Sequence, residues 1–288
     1  MKNKKYPSAL TIDVEDGINI LMRDVFKVDM PPTSLVVDNV MVLLDLFEKK
    51  DVTGTFFILG EIAEYYPKLV RDIASKGHEI GVHGYYHDQI FRLTHEKARN
   101  EIGRAKALLE DITGEKVSGF RAPAFSVTEE TSWILETLSE IGFLYDSSVM
   151  PVKAKRYGWP GFKKDIQTLK LKNGNTIIEV PLSVTGFFGK QIPACGGGYL
   201  RYFPYYFSYA AFKKIQGQRS PILYLHPYEI DVKKYPEYFY KAMSSLPLDK
   251  KIPLSFYRLN KGTVLRKLTR LIEEFSFVPL IKIIESWD

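Results

Sequence analysis

Along the first half of the chain, short apolar runs alternate with longer stretches of helical periodicity. "SALTID", "GTFFILG", "EIGVH", "VSGFRAP" and "FLYDSS" read as strands, each a brief run bounded by glycine or polar residues. Between them, "SLVVDNVMVLLDLFEKKD", "YYPKLVRDIASKGH", "THEKARNEIGRAKALLEDITG" and "TEETSWILETLSEIG" space their apolar residues for one helical face. Ser34 and Thr94 are suited to N-cap two of these helices. Thr128 and Thr131 beside Glu129 and Glu130 suggest a capping box, and Gly77, Gly114 and Gly142 mark stops. Strand and helix in strict alternation predict an α/β fold with a parallel sheet or barrel, because parallel neighbours need a crossover between them.

From Pro151 the texture changes. "TLKLKNGNTIIEVPL" places an Asn-Gly turn between two strand-like runs and reads as a hairpin. "CGGGYLRYFPYYF" is rich in glycine and then in aromatic rings, "PILYLHPYEID" reads as one more strand, and "TVLRKLTRLIEEF" as an amphipathic helix packed on the barrel rather than on a membrane. With no Pro/Gly/Ser linker and no repeat, the expectation is one domain over 1–288, a hairpin insertion at about 151–205 and a helical extension at about 250–288.

Composition narrows the function. The chain has 288 residues, 45% of them hydrophobic and 26% charged, which suits a folded globular protein with a large core. Its net charge of +6 is scattered rather than gathered in a stripe, which argues against a nucleic-acid partner. The lone Cys195 excludes an internal disulfide. No apolar run reaches the ~20 residues of a membrane span, and "MKNKKYPSALTIDVED" has no leader-like apolar region, so the expected location is the cytoplasm, with a peripheral place at the membrane as the variant.

Four strands end in residues able to do chemistry, and in parallel α/β folds such residues collect at the carboxyl edge. The first ends in Asp13, Glu15 and Asp16, the third runs into His83 and His87, the fourth ends in Arg121, and the late strand ends in His226. Histidines four apart share a face on a helical turn and can grip one ion. Two imidazoles and one carboxylate suit zinc, with cobalt and nickel as alternatives. His78, after Gly77, reads as a C-terminal cap, while Glu229 and Asp231 read as solvated loop acids. The tyrosines of the "GGGYLRYFPYYF" run, Tyr199 first, suit stacking on sugar or packing on the barrel equally well.

"TIDVED", "HGYYH", "RAPAF", "YDSS" and "LHPYE" follow one another in the order of the motifs of the polysaccharide deacetylases, the NodB-homology or carbohydrate esterase family 4 group. The chain resembles that family over roughly Leu10 to Asp231. "GHEIGVHGYYH", "GFRAPAFSVT", "YDSSVMP" and "GGGYLRYFP" look like its exopolysaccharide and surface-glycan branch, as does the C-terminal extension. The resemblance implies a distorted (β/α) barrel with fewer than eight strands that removes the N-acetyl group of amino sugars in a polysaccharide or lipid-linked glycan, using a divalent metal. It makes Asp13 the catalytic base, His83 and His87 metal ligands, Arg121 the partner of the base, and His226 the general acid. Asp146 would orient His226, Leu225 would line the acetyl pocket, and the Ala124 N–H would stabilise the oxyanion. The common pattern has two adjacent aspartates, whereas Val14 follows Asp13 here, so Glu15 or Asp16 must supply the third ligand. On an extended strand Asp13 and Glu15 point the same way, which favours Glu15; a bulge would favour Asp16. Two alternative readings are a metal-independent amide hydrolase of the allantoinase type and a glycan-binding barrel without catalysis.

Overall fold

The computed structural model describes residues 6–154, 157–187, 189–249, 251 and 259–287. Residues 1–5, on which part of the leader reading rests, and 252–258, the beginning of the expected C-terminal extension, lie outside the described residues. The strands are β1 (Ser8–Val14), β2 (Thr55–Ile58), β3 (Glu79–Val82), β4 (Gly119–Phe120), β5 (Tyr145–Asp146), β6 (Gln167–Lys170), β7 (Thr176–Glu179), β8 (Thr185–Phe187), β9 (Lys190–Ile192), β10 (Ile222–Leu225) and β11 (Phe277–Val278). The helices are α1 (Gly17–Asp24), α2 (Leu35–Lys49), α3 (Gly60–Tyr65), α4 (Pro67–Ser75), α5 (His95–Thr113), α6 (Trp133–Ile141), α7 (Gly197–Tyr202), α8 (Tyr205–Gln216), α9 (Glu237–Ser244), α10 (Val264–Glu274) and α11 (Leu280–Glu285).

The large sheet runs β10-β1-β2-β3-β4-β5-β7 with all neighbours parallel, and β6 adds antiparallel to its edge. It is the curled, mixed sheet of a distorted (β/α) barrel. The Asn-Gly hairpin forms between β6 and β7, and β7 carries it onto the main sheet beside β5. A second hairpin, β8 with β9, stands apart. β11 pairs with the start of β1 on the side where β2 has not yet begun: Ser8 N–H donates to Ser276 O while Ala9 N–H donates the other way, to Pro221 O. α11 then ties down to the barrel floor through Leu280 N–H to Thr55 Oγ1 at 2.8 Å and Ile281 N–H to Glu79 Oε2 at 3.1 Å.

Most of the expected punctuation is present. Thr94 Oγ1 accepts the Lys97 N–H at 3.2 Å to cap α5, and Gly114 and Gly142 end α5 and α6 with φ of 71° and 93°, a backbone region that only glycine enters cheaply. Ser34 makes no side-chain cap, and α6 starts at Trp133 rather than Thr128 because Thr131 Oγ1 instead ties the Thr128 N–H and Ser126 O into a turn. α1 is a helix that the chain's periodicity did not announce; it is short and amphipathic and starts from Asp16. α10 buries Val264, Leu268, Leu271 and Ile272 against the barrel core, as its stripe requires. No helix among the described residues is long and apolar enough to cross a membrane.

His78 is not a helix cap. Its Nδ1 accepts the Gly54 N–H at 3.1 Å, and its ring packs on Phe47 and Phe56. Burial, with the Lys76 charge adding to it, pulls its pKa down to about 4. Below pH ~6.5 the unfolded chain therefore binds a proton that the folded chain refuses until about pH 4. The associated stability is complete above that window and falls by roughly 3 kcal/mol as pH drops through it. Urea unfolding at pH 7 and pH 4.5 should show a smaller loss for His78→Gln than for the wild type; equal losses would reject the assignment.

Candidate functional site

Because β1, β3, β4, β5 and β10 are parallel, their carboxyl ends open on one edge, and the candidate residues meet there. Asp13 is buried beside the fully buried Arg121, whose Nη1 donates to Asp13 Oδ1 at 2.7 Å and to Thr11 Oγ1 at 2.7 Å. Arg121 is further held by Nε to Ser147 O at 2.9 Å and Nη2 to Ser147 Oγ at 3.0 Å, with Phe57 stacked 4.3 Å from its guanidinium carbon. Four of its five N–H groups point at fixed acceptors, so the guanidinium that grips Asp13 is held in one orientation.

The two acids left open by the sequence part company. Glu15 Oε1 lies 2.9 Å from His83 Nε2 and 3.0 Å from His87 Nε2. Asp16 instead caps α1, accepting the Ile18 N–H at 3.0 Å and the Thr33 N–H. With both carboxylate oxygens engaged by backbone, Asp16 is not brought to the histidines.

His83 and His87 do not lie on a helical turn. They flank a loop in which Gly84 has φ 80° and His87 itself has φ 64°, a left-handed conformation uncommon for a side-chain-bearing residue. The loop is held by its carbonyls: Gly84 O accepts Gly60 N–H at 3.0 Å, Tyr85 O accepts Glu61 N–H at 3.1 Å, and Tyr86 O accepts Arg23 Nη1 at 2.7 Å. Arg23 is in turn paired with Glu61 at 2.7 Å. A side chain at Gly60 would fall inside the ring of Tyr85, so glycine there lets α3 approach closely enough to make these bonds.

The donor set can be tested for fit to a cation. His83 Nδ1 lies 2.9 Å from Arg121 O, and a carbonyl can only accept, so Nδ1 carries the proton. In a neutral ring Nε2 is then a lone pair, yet it faces a carboxylate oxygen. Two acceptors meet at that distance only with something positive between them, either a proton or a metal ion. Glu15, His83 and His87 offer ligand atoms all within 4.8 Å of one another, and they match the mixed oxygen and nitrogen set that zinc accepts. Burial would raise the Glu15 pKa, but the His87 and His226 imidazoles, with hydrogen bonds from His83 and His87, hold it well below the usual carboxylate range. The residues present fit a divalent ion.

His226, after β10, completes the cluster, with Nε2 3.9 Å from both Asp13 Oδ2 and Glu15 Oε1. Burial opposes its charge, but Glu15, Glu229 and Asp13 outweigh it and push its pKa up to about 9. Its nearest acid is Glu229, whose Oε2 lies 3.3 Å from Nδ1. Glu229 and Asp231 are 3% and 4% exposed, so neither is a solvated loop acid. The pattern His-Pro-x-Glu was a legible signal: it is a capping box with proline at the first helical position. Asp146 is bonded elsewhere. Its Oδ1 accepts from Ser148 Oγ, and Glu179 is its neighbour across β5 and β7. Burial raises Asp146 to about 6 and, with the Asp146 charge beside it, drives Glu179 well above the usual range. Ser148 Oγ also accepts the Ala122 N–H at 2.7 Å, so this pair braces the Arg121 strand end.

The remaining candidates surround the cluster. Leu225 is fully buried at the end of β10, in register with Ile12. Ala124 sits exposed in a short turn with φ 53°, followed by Phe125 at φ 51°. Tyr199, half-buried on α7, stacks on Phe203 with centroids 5.6 Å apart and planes 11° from parallel. Cys195 is buried, which pushes its thiol pKa far up and leaves it no nucleophile.

Residues 26–143 match the family model described as polysaccharide deacetylase, and residues 147–285 match one described as a domain of unknown function, DUF3473. By the first match, residues 26–143 belong to a polysaccharide deacetylase domain of the NodB, carbohydrate esterase family 4 type. His83, His87 and Arg121 of this deacetylase domain fall inside the first match; Asp13 and Glu15 precede it, and His226 and Glu229 fall in the second. A Bacillus cereus peptidoglycan-N-acetylglucosamine deacetylase is 34% identical over 95 residues, which are 33% of this chain and 34% of that protein. Such matches span about a third of the length of the curated relatives. Among solved structures, a Mycobacterium smegmatis protein provisionally named a polysaccharide deacetylase aligns at TM-score 0.66 and 22% identity, covering 99% of this chain and 91% of that one. The allantoinase PuuE aligns at TM-score 0.62 and 18% identity, covering 99% and 91%. These two likenesses speak for the shared fold.

Proposed function

We propose that this deacetylase-domain protein hydrolyses the N-acetyl group of an amino sugar in a polysaccharide or lipid-linked glycan of a surface-glycan or exopolysaccharide pathway. The observation that carries the reading is a single carboxylate oxygen, Glu15 Oε1, facing two imidazole nitrogens, with a buried Asp-Arg pair and a third histidine within 4 Å. His83, His87 and Glu15 would hold a divalent ion, zinc first and cobalt or nickel as alternatives; such an ion supplies a Lewis acid and lowers the pKa of water. Asp13, steered by Arg121, takes the proton of the attacking water. His226 donates a proton to the departing amine, a poor leaving group until protonated. The Ala124 N–H is the candidate donor to the oxyanion, Leu225 the wall of the acetyl pocket, and Tyr199 a stacking platform for sugar.

The names of the relatives support an N-acetylated glycan as substrate. The histidine and glutamate set favours this reading over a metal-independent amide hydrolase. We further take residues 1–288 as one unit acting in the cytoplasm; in support, strands from both family matches share one sheet. The test is acetate release from defined N-acetyl oligosaccharides by the zinc-loaded protein, with loss on chelation and recovery on re-addition. Sugar binding without acetate release would favour the non-catalytic barrel, and turnover unaffected by chelation the amide hydrolase. Calorimetric zinc titration should show Glu15→Gln and His87→Ala weakened by about 10- to 100-fold or more, whereas Asp16→Asn keeps its affinity within a few fold.

A further inference from the structure

Glu229 lies three residues beyond His226 in the turn Pro227–Glu229. Its Oε2 accepts the His226 N–H at 3.1 Å and sits 3.3 Å from His226 Nδ1, so one acid fixes both the backbone and the ring of the same residue. The opposite ring nitrogen, Nε2, is the one that looks toward Asp13 and Glu15. The same oxygen abuts Gly197, at the start of α7. A methyl group at Gly197 would overlap Glu229 Oε2 outright and crowd Leu225. The middle glycine of the "GGG" run therefore forms a wall beside the carboxylate, and Asp146 Oδ1 accepts instead from Ser148 Oγ.

We infer that Glu229, rather than Asp146, is the positioning residue that orients His226, and that Gly197 is required because Glu229 fills the space where a side chain would begin. The inference rests on the deacetylase reading for what His226 does, but not for how it is held. A carboxylate only accepts, so Nδ1 keeps its proton whether the ring is neutral or charged, and the exchangeable proton is the one on Nε2, inside the site.

The experiment compares Glu229→Ala, Glu229→Gln, Gly197→Ala and Asp146→Asn with the wild-type chain, all zinc-loaded and with metal content measured. Imidazole proton-nitrogen NMR should show a slowly exchanging His226 Nδ1–H in the wild type and in Asp146→Asn, and its loss in Glu229→Ala and Gly197→Ala. Acetate release should fall about 100-fold or more in kcat for Glu229→Ala, with KM within about three-fold and zinc retained. Glu229→Gln keeps an acceptor oxygen for the backbone but not the charge, and should fall about 10-fold. If Glu229→Ala fails to fold, Glu229→Gln and Gly197→Ala carry the same test. Survival of the Nδ1–H signal without Glu229, its loss in Asp146→Asn, or kcat within about two-fold of wild type in Glu229→Ala would overturn the inference. Should the wild type release no acetate from any oligosaccharide, the deacetylase reading fails, and the ring-proton signal alone decides how His226 is held.

Discussion

Asp13→Asn is expected to lower kcat for acetate release by roughly 10²- to 10⁴-fold, the range for removal of a general base, while bound zinc stays near the wild-type level. The substitution is close to isosteric, and its amide oxygen can still accept from Arg121 Nη1, so the buried geometry is kept. What disappears is the ability to take a proton. Metal analysis alongside steady-state kinetics separates this from loss of the ion. A variant that keeps full activity, or that loses its zinc in parallel, would remove Asp13 from the role of base.

Arg121→Met is expected to cost about 3–5 kcal/mol of stability, read as a fall in the denaturant midpoint, because it leaves the Asp13 carboxylate buried without its countercharge. Thr11 Oγ1 and both Ser147 oxygens lose a donor at the same time. Pairing it with Asp13→Leu should restore most of the loss, since replacing both members of a buried ion pair is commonly close to neutral. Loss of activity in the double variant with near-normal stability would show that the pair is kept for chemistry. A single variant as stable as the wild type would contradict the pairing.

Much of this arrangement was legible in the chain. The parallel sheet and the convergence of Asp13, His83, Arg121 and His226 follow from apolar runs that each end in a reactive residue, because parallel strands deliver their carboxyl ends to one edge. What the spacing hid is conformational. His83 and His87, four apart, suit a helix on paper, yet the positive φ of Gly84 and His87 makes a loop whose shape is set by Gly60, Glu61 and Arg23, distant in sequence. Glu15 and Asp16 are adjacent acids with the same chemistry; strand alternation favours Glu15, and the start of α1 at Gly17 decides it by assigning Asp16 to the backbone. Asp146 and Glu229 exchanged their expected surroundings because pairing across β5 and β7 brings Glu179, an acid with no motif around it, against Asp146.

The position of β1 also sets the order in which the site can come into being. β1, which carries Asp13 and leads into Glu15, pairs along its second half with residues 55–58 on one side, but its other side is covered only by residues 222–225. Contacts of such long range are slow to form and come late, so a nascent chain leaves one edge of β1 open, with these acids at its end, until residues 222–225 have been made. The charges that crowd the end of β1 then have a second use: they keep that waiting edge from pairing with another chain.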